Sequence, residues 1–213
     1  MTLTTAIEEI KGLRFMTDNL ELQSGWAKRM LHASPYLHTA EEINRELEKT
    51  EEMIRVLRDA SLSSVIDRIC LKLAQVKDIR GSIARTRDSQ NLDDLELFEI
   101  KAFALLVADI RQLLESGGIR IVPFPDLEPV IAILDPEGMR IPHFYVYDAY
   151  SPELSAIRKK MKSLAEGAEK ELEALRHEHT LLEDRIREQL SSRLHTHAEA
   201  IQEAFQKAGE LDI

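Results

Sequence analysis

Cysteine is almost missing from this 213-residue chain, with Cys70 the only one. That excludes a disulfide framework or a multi-cysteine zinc site, and it fits a reducing, cytoplasmic setting. Aromatic residues make up 5% of the chain, with a single tryptophan. Long apolar runs are missing too. The longest, Ala102–Ala108, has 7 residues, against the ~20 that a membrane-spanning helix needs. The opening MTLTTAIEEIKGL has no basic stretch followed by an apolar one, so no secretory signal is read there. The eight glycines, at 12, 25, 81, 117, 118, 138, 167 and 209, form neither GxxxxGK[ST] nor GxGxxG, so no phosphate cradle is recognisable. HExxH, an EF-hand loop and GxSxG are also absent. Positive charge is in deficit: 28 Lys and Arg face 38 Asp and Glu, a net charge of −10. As a whole, such a chain is a poor non-specific ligand for nucleic acid.

What remains is a sequence with 44% hydrophobic and 31% charged residues, enough apolar matter for a folded core. Six of its seven prolines fall between Pro123 and Pro152, and the 61 residues after Pro152 have none. Proline breaks helices, so the tail is free to be helical and the middle is not. The expected organisation is mainly α. Residues 1–150 form a helical core with a short β-ribbon near 130–147, and residues 151–213 form an arm.

Within the core, Leu22, Trp26 and Met30 recur at steps of four, which predicts a helix over Leu20–Leu31. Thr39 with Glu42 forms a capping box. Ile43, Leu47, Thr50, Ile54 and Leu57 then share one helix face, expected to point toward a core. Val65, Ile66, Ile69, Cys70, Leu73 and Val76 form another stripe, which makes Cys70 a buried structural thiol rather than a reactive one. Asn91, Asp93 and Asp94 start a helix through Phe98, Phe103, Leu106, Ile110 and Leu114, and Gly117–Gly118 stops it. In the middle, Val130–Leu134 reads as a strand, Asp135-Pro-Glu-Gly138 as a type I turn and Arg140–Tyr147 as a second strand. Phe144, Tyr145, Tyr147 and Tyr150 crowd this stretch. They suit either base stacking or burial of a small ribbon, and burial is the simpler reading.

Ser151-Pro152-Glu153 caps the arm. An apolar seam including Leu164, Leu172, Leu175, Leu182 and Ile186 runs along it at 3/4 spacing, as in a coiled coil. An unbroken helix from Pro152 to Leu190 would measure roughly 58 Å. A turn near 191–197 would follow, then the start of a returning helix. This seam calls for a partner, another chain or more of its own chain, and a homodimer is expected.

No catalytic, cofactor-binding or metal-binding set emerges. His177 and His179, like His195 and His197, are spaced i, i+2 and diverge by about 200° on a helix. The basic cluster Arg158–Lys162 could meet phosphates, but the simpler expectation is a solvated face paired with Glu166 and its neighbours. Arg187, Arg193, His195 and His197 near the arm tip are weak candidates for contacts to a nucleic-acid backbone.

Several stretches resemble the core and lever region of the MutS family of DNA mismatch-repair ATPases, in the branch that lacks the mismatch-reading domain. They are TAEEINRELEKTEEMIRVLR over 39–58, DIRGSIARTRD over 78–88, LDDLELFEI over 92–100 and ILDPEGMRIPHFYVYDAYSPELSAIRKKM over 133–161. The last is the most specific, because turn, ribbon, Pro-capped helix start and Arg158 arrive in order. The resemblance implies a non-catalytic module that links an ATPase located elsewhere in a longer protein, with its ATP and Mg²⁺, to nucleic-acid-contacting tips. It implies DNA as the partner of the full protein, with weak or no DNA binding by this chain alone. A stand-alone helical dimerisation protein is the alternative, and a MutS paralogue acting on ribosomes or structured RNA is a variant of the first reading.

Overall fold

The computed structural model describes residues 2–164 and 168–213. Among them are eleven α-helices: α1 (Leu3–Glu9), α2 (Lys11–Asp18), α3 (Gly25–Ala33), α4 (Ala40–Arg58), α5 (Ser63–Leu73), α6 (Arg80–Arg87), α7 (Asp94–Ser116), α8 (Glu128–Leu134), α9 (Pro152–Ser163), α10 (Glu169–His195) and α11 (Ala198–Asp212). The mainly helical class is as expected. The chain divides into two compact units. The first comprises Met1–Asp78, Leu106–Pro125 and Glu203–Ile213, and the second Ile79–Leu105 and Asp126–Gln202.

In the first unit, local signals set the helix ends. Thr39 accepts from the Glu42 N–H and Glu42 accepts from the Thr39 N–H, both at 3.2 Å, which completes the capping box of α4. Ser24 caps α3, so that helix starts later than the spacing of Leu22 and Trp26 suggests. At the end of α7, Gly118 has φ +65, the left-handed conformation that glycine adopts without strain. The core is built from Ile69 and Leu73 of α5, Ile110, Leu113 and Leu114 of α7, and Ala204, Phe205 and Ala208 of α11. Trp26 stacks on Phe205 with ring centroids 4.6 Å apart, and its indole N–H donates to the Phe205 carbonyl at 2.9 Å. Cys70 is half-buried. Burial and the nearby Asp212 and Asp67 push its thiol pKa up, consistent with an inert thiol.

In the second unit the expected β-ribbon is not present: no strand occurs among the described residues. Val130–Leu134 lies in the helix α8, with Val130, Ile131, Ile133 and Leu134 all buried. A short apolar run does not distinguish a buried strand from a buried helical turn. Here Pro129 stands in the first helical turn, where its missing N–H costs nothing, and Glu128 favours the helix dipole. The turn itself forms as read, with the Gly138 N–H donating to the Asp135 carbonyl at 3.0 Å and Gly138 at φ +66. Residues 139–147 then run without a ladder partner and bury Phe144, Val146 and Tyr147 while leaving Tyr145 exposed.

The single straight arm is also revised. Ser151 caps α9 by accepting from the N–H groups of Glu153 and Leu154, but α9 ends at Ser163 and Leu164 is extended, with φ −67 and ψ 133. The expected helix through 165–167, and the pairing with Glu166, lie outside the described residues. From Glu169 the chain runs back along α9 as α10. Lys160 pairs with Glu171, and Arg158 pairs with Glu183 farther along, which is the order of an antiparallel hairpin. Leu154, Leu175, Ile186 and Leu190 are buried, so the arm covers much of its own seam against α9, α8 and α6. Leu164, Leu172 and Leu182 stay half-buried.

Candidate functional site

The second unit holds a buried polar network. Lys101, immediately before the apolar run of α7, is completely buried. Its ammonium donates to Asp135 Oδ1 at 3.0 Å and to the Tyr147 hydroxyl at 2.8 Å. That hydroxyl donates in turn to the His143 carbonyl at 3.0 Å, and Asp135 Oδ2 accepts the Arg140 N–H at 2.6 Å. Burial raises the Asp135 pKa. The Arg140 N–H and the Lys101 ammonium outweigh it, so the carboxyl lies below its ordinary range. Three groups buried together and mutually satisfied fix the 135–147 segment to α7. Lys101 carries no motif that marks it in the sequence. A lone lysine flanked by Ile100, Ala102 and Phe103 in a central helix was the signal, since a buried lysine requires a paired carboxylate.

A second cluster joins the start of α9 to α10. The Arg158 guanidinium donates to Asp148 at 2.5 Å, to Glu183 at 2.7 Å and to His179 Nε2 at 3.1 Å. Tyr150 donates its hydroxyl to the Ile133 carbonyl at 2.9 Å, and burial raises its phenol pKa well above the usual value. The turn, the aromatic segment, the helix cap and Arg158 thus follow one another as a joint of separate polar networks, with Tyr150 edge-on to Tyr147 at 5.9 Å between them.

The four basic candidates sit along the second half of α10 and just beyond. Arg187 donates to both carboxylate oxygens of Asp94, at 2.7 and 3.0 Å, and also contacts Asp184 and Glu183. The Asp94 hydrogen bonds raise its pKa further, and most of its donors are committed. His195 turns its Nδ1 toward the Thr86 carbonyl at 3.1 Å and the Ser89 hydroxyl at 3.0 Å. Arg193 is exposed and His197 half-buried. The structure therefore separates Arg187, held among acids, from Arg193, His195 and His197 near the α10–α11 turn. His177 and His179 do not converge on a common point, since His179 faces Arg158 while His177 is exposed. Among the described residues no group of three or more His, Cys, Asp or Glu side chains converges as a metal site. In the first unit, Arg68, Lys72, Asp109, Gln112, Leu113 and Ser116 line an open polar groove in which Lys72 is paired with Asp109.

No family model, curated protein or solved structure matches the chain.

Proposed function

We propose that this chain is the helical core and lever module of a MutS-like DNA-repair protein. It is non-catalytic itself and passes motion between an ATPase elsewhere in the full-length protein and the parts that contact nucleic acid. The observation that carries the reading is the Ile133–Met161 segment, where the most specific resemblance coincides with the polar joint. The turn aspartate Asp135 is locked by Lys101, the helix start at Ser151 is capped, and Arg158 ties α9 to α10. The Lys101–Asp135–Tyr147 part of the joint is buried and mutually satisfied, and such a packed network transmits displacement with little loss, because tightly packed interiors resist deformation. The α9–α10 hairpin, rather than a single rod, is then the lever.

The experiment uses the full-length native protein. Its ATP hydrolysis is expected to change when duplex DNA is added, and Arg158→Ala is expected to abolish that response while leaving DNA-free hydrolysis intact. A native protein that hydrolyses no ATP, or whose hydrolysis ignores both DNA and Arg158, overturns the proposal. Loss of DNA-free hydrolysis in Arg158→Ala also counts against it, because the module would then be part of the ATPase itself.

A further inference from the structure

His179 stands on α10 where that helix faces α9, and its ring is fitted into the Arg158 network. Each edge of the Arg158 guanidinium meets a different partner: Nη1 donates to Asp148 at 2.5 Å, Nη2 to Glu183 Oε1 at 2.7 Å and Nε to His179 Nε2 at 3.1 Å. A guanidinium nitrogen donates and never accepts. His179 Nε2 therefore accepts, and a ring that accepts at Nε2 is neutral, with its single proton on Nδ1. The same Nε2 lies 3.3 Å from Glu183 Oε1, one helical turn on, which is the oxygen that Arg158 also holds. The ring is half-buried, so solvent protons reach it. The charged groups that face it are Arg158 of α9, Glu183 of α10 and, across the guanidinium, Asp148 just ahead of α9. Arg187 holds the other oxygen of Glu183 at 3.3 Å. Among the described residues no hydrogen bond or ion pair joins His179 to α6 or α8, the other helices packed on α10.

We propose that His179 is a proton-operated switch on the α9–α10 hairpin. In the neutral state it accepts the Arg158 Nε–H, and Arg158 bridges Asp148, His179 and Glu183 at once. A proton taken from water onto Nε2 turns that nitrogen into a donor facing a donor, and the contact with Arg158 breaks. The new Nε2–H has Glu183 Oε1 within reach and pairs with it as a charge-assisted hydrogen bond. Glu183 then changes hands, from a link between α9 and α10 to a link within α10, and the Arg158 Nε–H is released to water. Histidine is the side chain whose charge changes between pH 5 and 8, so the exchange takes place within that range. The switch follows from these contacts alone and does not require the lever function proposed above.

Long-range proton–nitrogen NMR of the full chain at about pH 8 is expected to find the His179 proton on Nδ1. Lowering the pH to about 5.5 is expected to shift the Arg158 Nε–H resonance in step with the His179 ring, the two sharing one midpoint. His179→Gln removes the titrating group and is expected to abolish the Arg158 shift. His177→Gln, at an exposed neighbour on the same helix, is expected to leave it unchanged. A proton on Nε2 at about pH 8 overturns the proposal, as does an Arg158 resonance that ignores the His179 titration. So does an Arg158 shift that persists in His179→Gln, or one that is lost equally in His177→Gln.

Discussion

Lys101 shows how one side chain can organise a fold. Bringing an ammonium and a carboxylate out of water is costly, and a buried ion pair offsets that cost only when every donor and acceptor is met. Here Asp135 and Tyr147 meet them, and the ammonium also lies 5.0 Å from the centre of the Tyr147 ring. Lys101→Met leaves Asp135 charged and buried, and is expected to cost about 3–5 kcal/mol in urea unfolding. Adding Asp135→Asn removes the stranded charge and is expected to recover part of that loss. The folded-state pKa of Asp135 lies below its ordinary value of 3.8, so its contribution is complete above that value and is lost as pH falls through the lower one. Acid unfolding is therefore expected to set in below about pH 4 and to be blunted in the Lys101→Met, Asp135→Asn double variant. Gly209 poses a packing question at the same scale. A Cβ there would stand 2.8 Å from Trp26 Nε1 and 2.9 Å from Met30 Sδ. Gly209→Ala is expected to destabilise by about 1–3 kcal/mol and to shift the fluorescence of Trp26, the chain's only tryptophan.

At the scale of elements, the hairpin of α9 and α10 depends on Arg158, whose side chain is 22% exposed, and on its partner Glu183 at 18%. A half-wet network of this kind contributes less than a buried one. Arg158→Ala is expected to cost about 1–2 kcal/mol and to speed amide exchange selectively in the first half of α10. Unchanged exchange there would mean that the buried leucines alone hold the hairpin. The elements also show which parts of the fold were legible in the sequence. Caps are local, so Thr39 with Glu42 and Ser151 with Pro152 marked helix starts correctly. The α4 and α7 helices were equally plain because each pattern repeats over many turns, but the α4 face, expected to pack toward a core, is exposed at Ile43, Leu47, Ile54 and Leu57. Val130–Leu134 misled because five apolar residues are too few to show a period, and the decisive feature was Pro129 just before them. The arm misled differently. A seam spaced at three and four fits one long helix or two helices folded on each other, and only the pairing of Arg158 with a residue 25 positions on separates them. Lys101 escaped because its partners lie 34 and 46 residues away, and spacing along a chain carries no trace of such contacts.

For the whole molecule the governing quantity is charge. A net charge of −10 repels a polyanion at long range, so binding would require a concentrated basic surface. The densest basic run, Arg158–Lys162, is partly spent: Arg158 is held by Asp148 and Glu183, and Lys160 by Glu171. Arg187 is surrounded by Asp94, Glu183 and Asp184. Exposed cations such as Lys159 and Arg193 remain, in a chain whose 28 Lys and Arg are outnumbered by 38 Asp and Glu. Fluorescence anisotropy with duplex DNA at physiological salt is therefore expected to show no submicromolar binding by this chain. Any binding at low salt is expected to have a logarithmic salt slope no steeper than about −2, the value for two phosphate contacts. A slope of about −5 or steeper would mean that the acid-bound arginines are released to the DNA, and that the carboxylate networks around Arg158 and Arg187 open on binding. Arg187→Gln separates these cases. Removing a cation that never meets phosphate leaves the slope unchanged, whereas removing one that is released to it reduces the slope by about one.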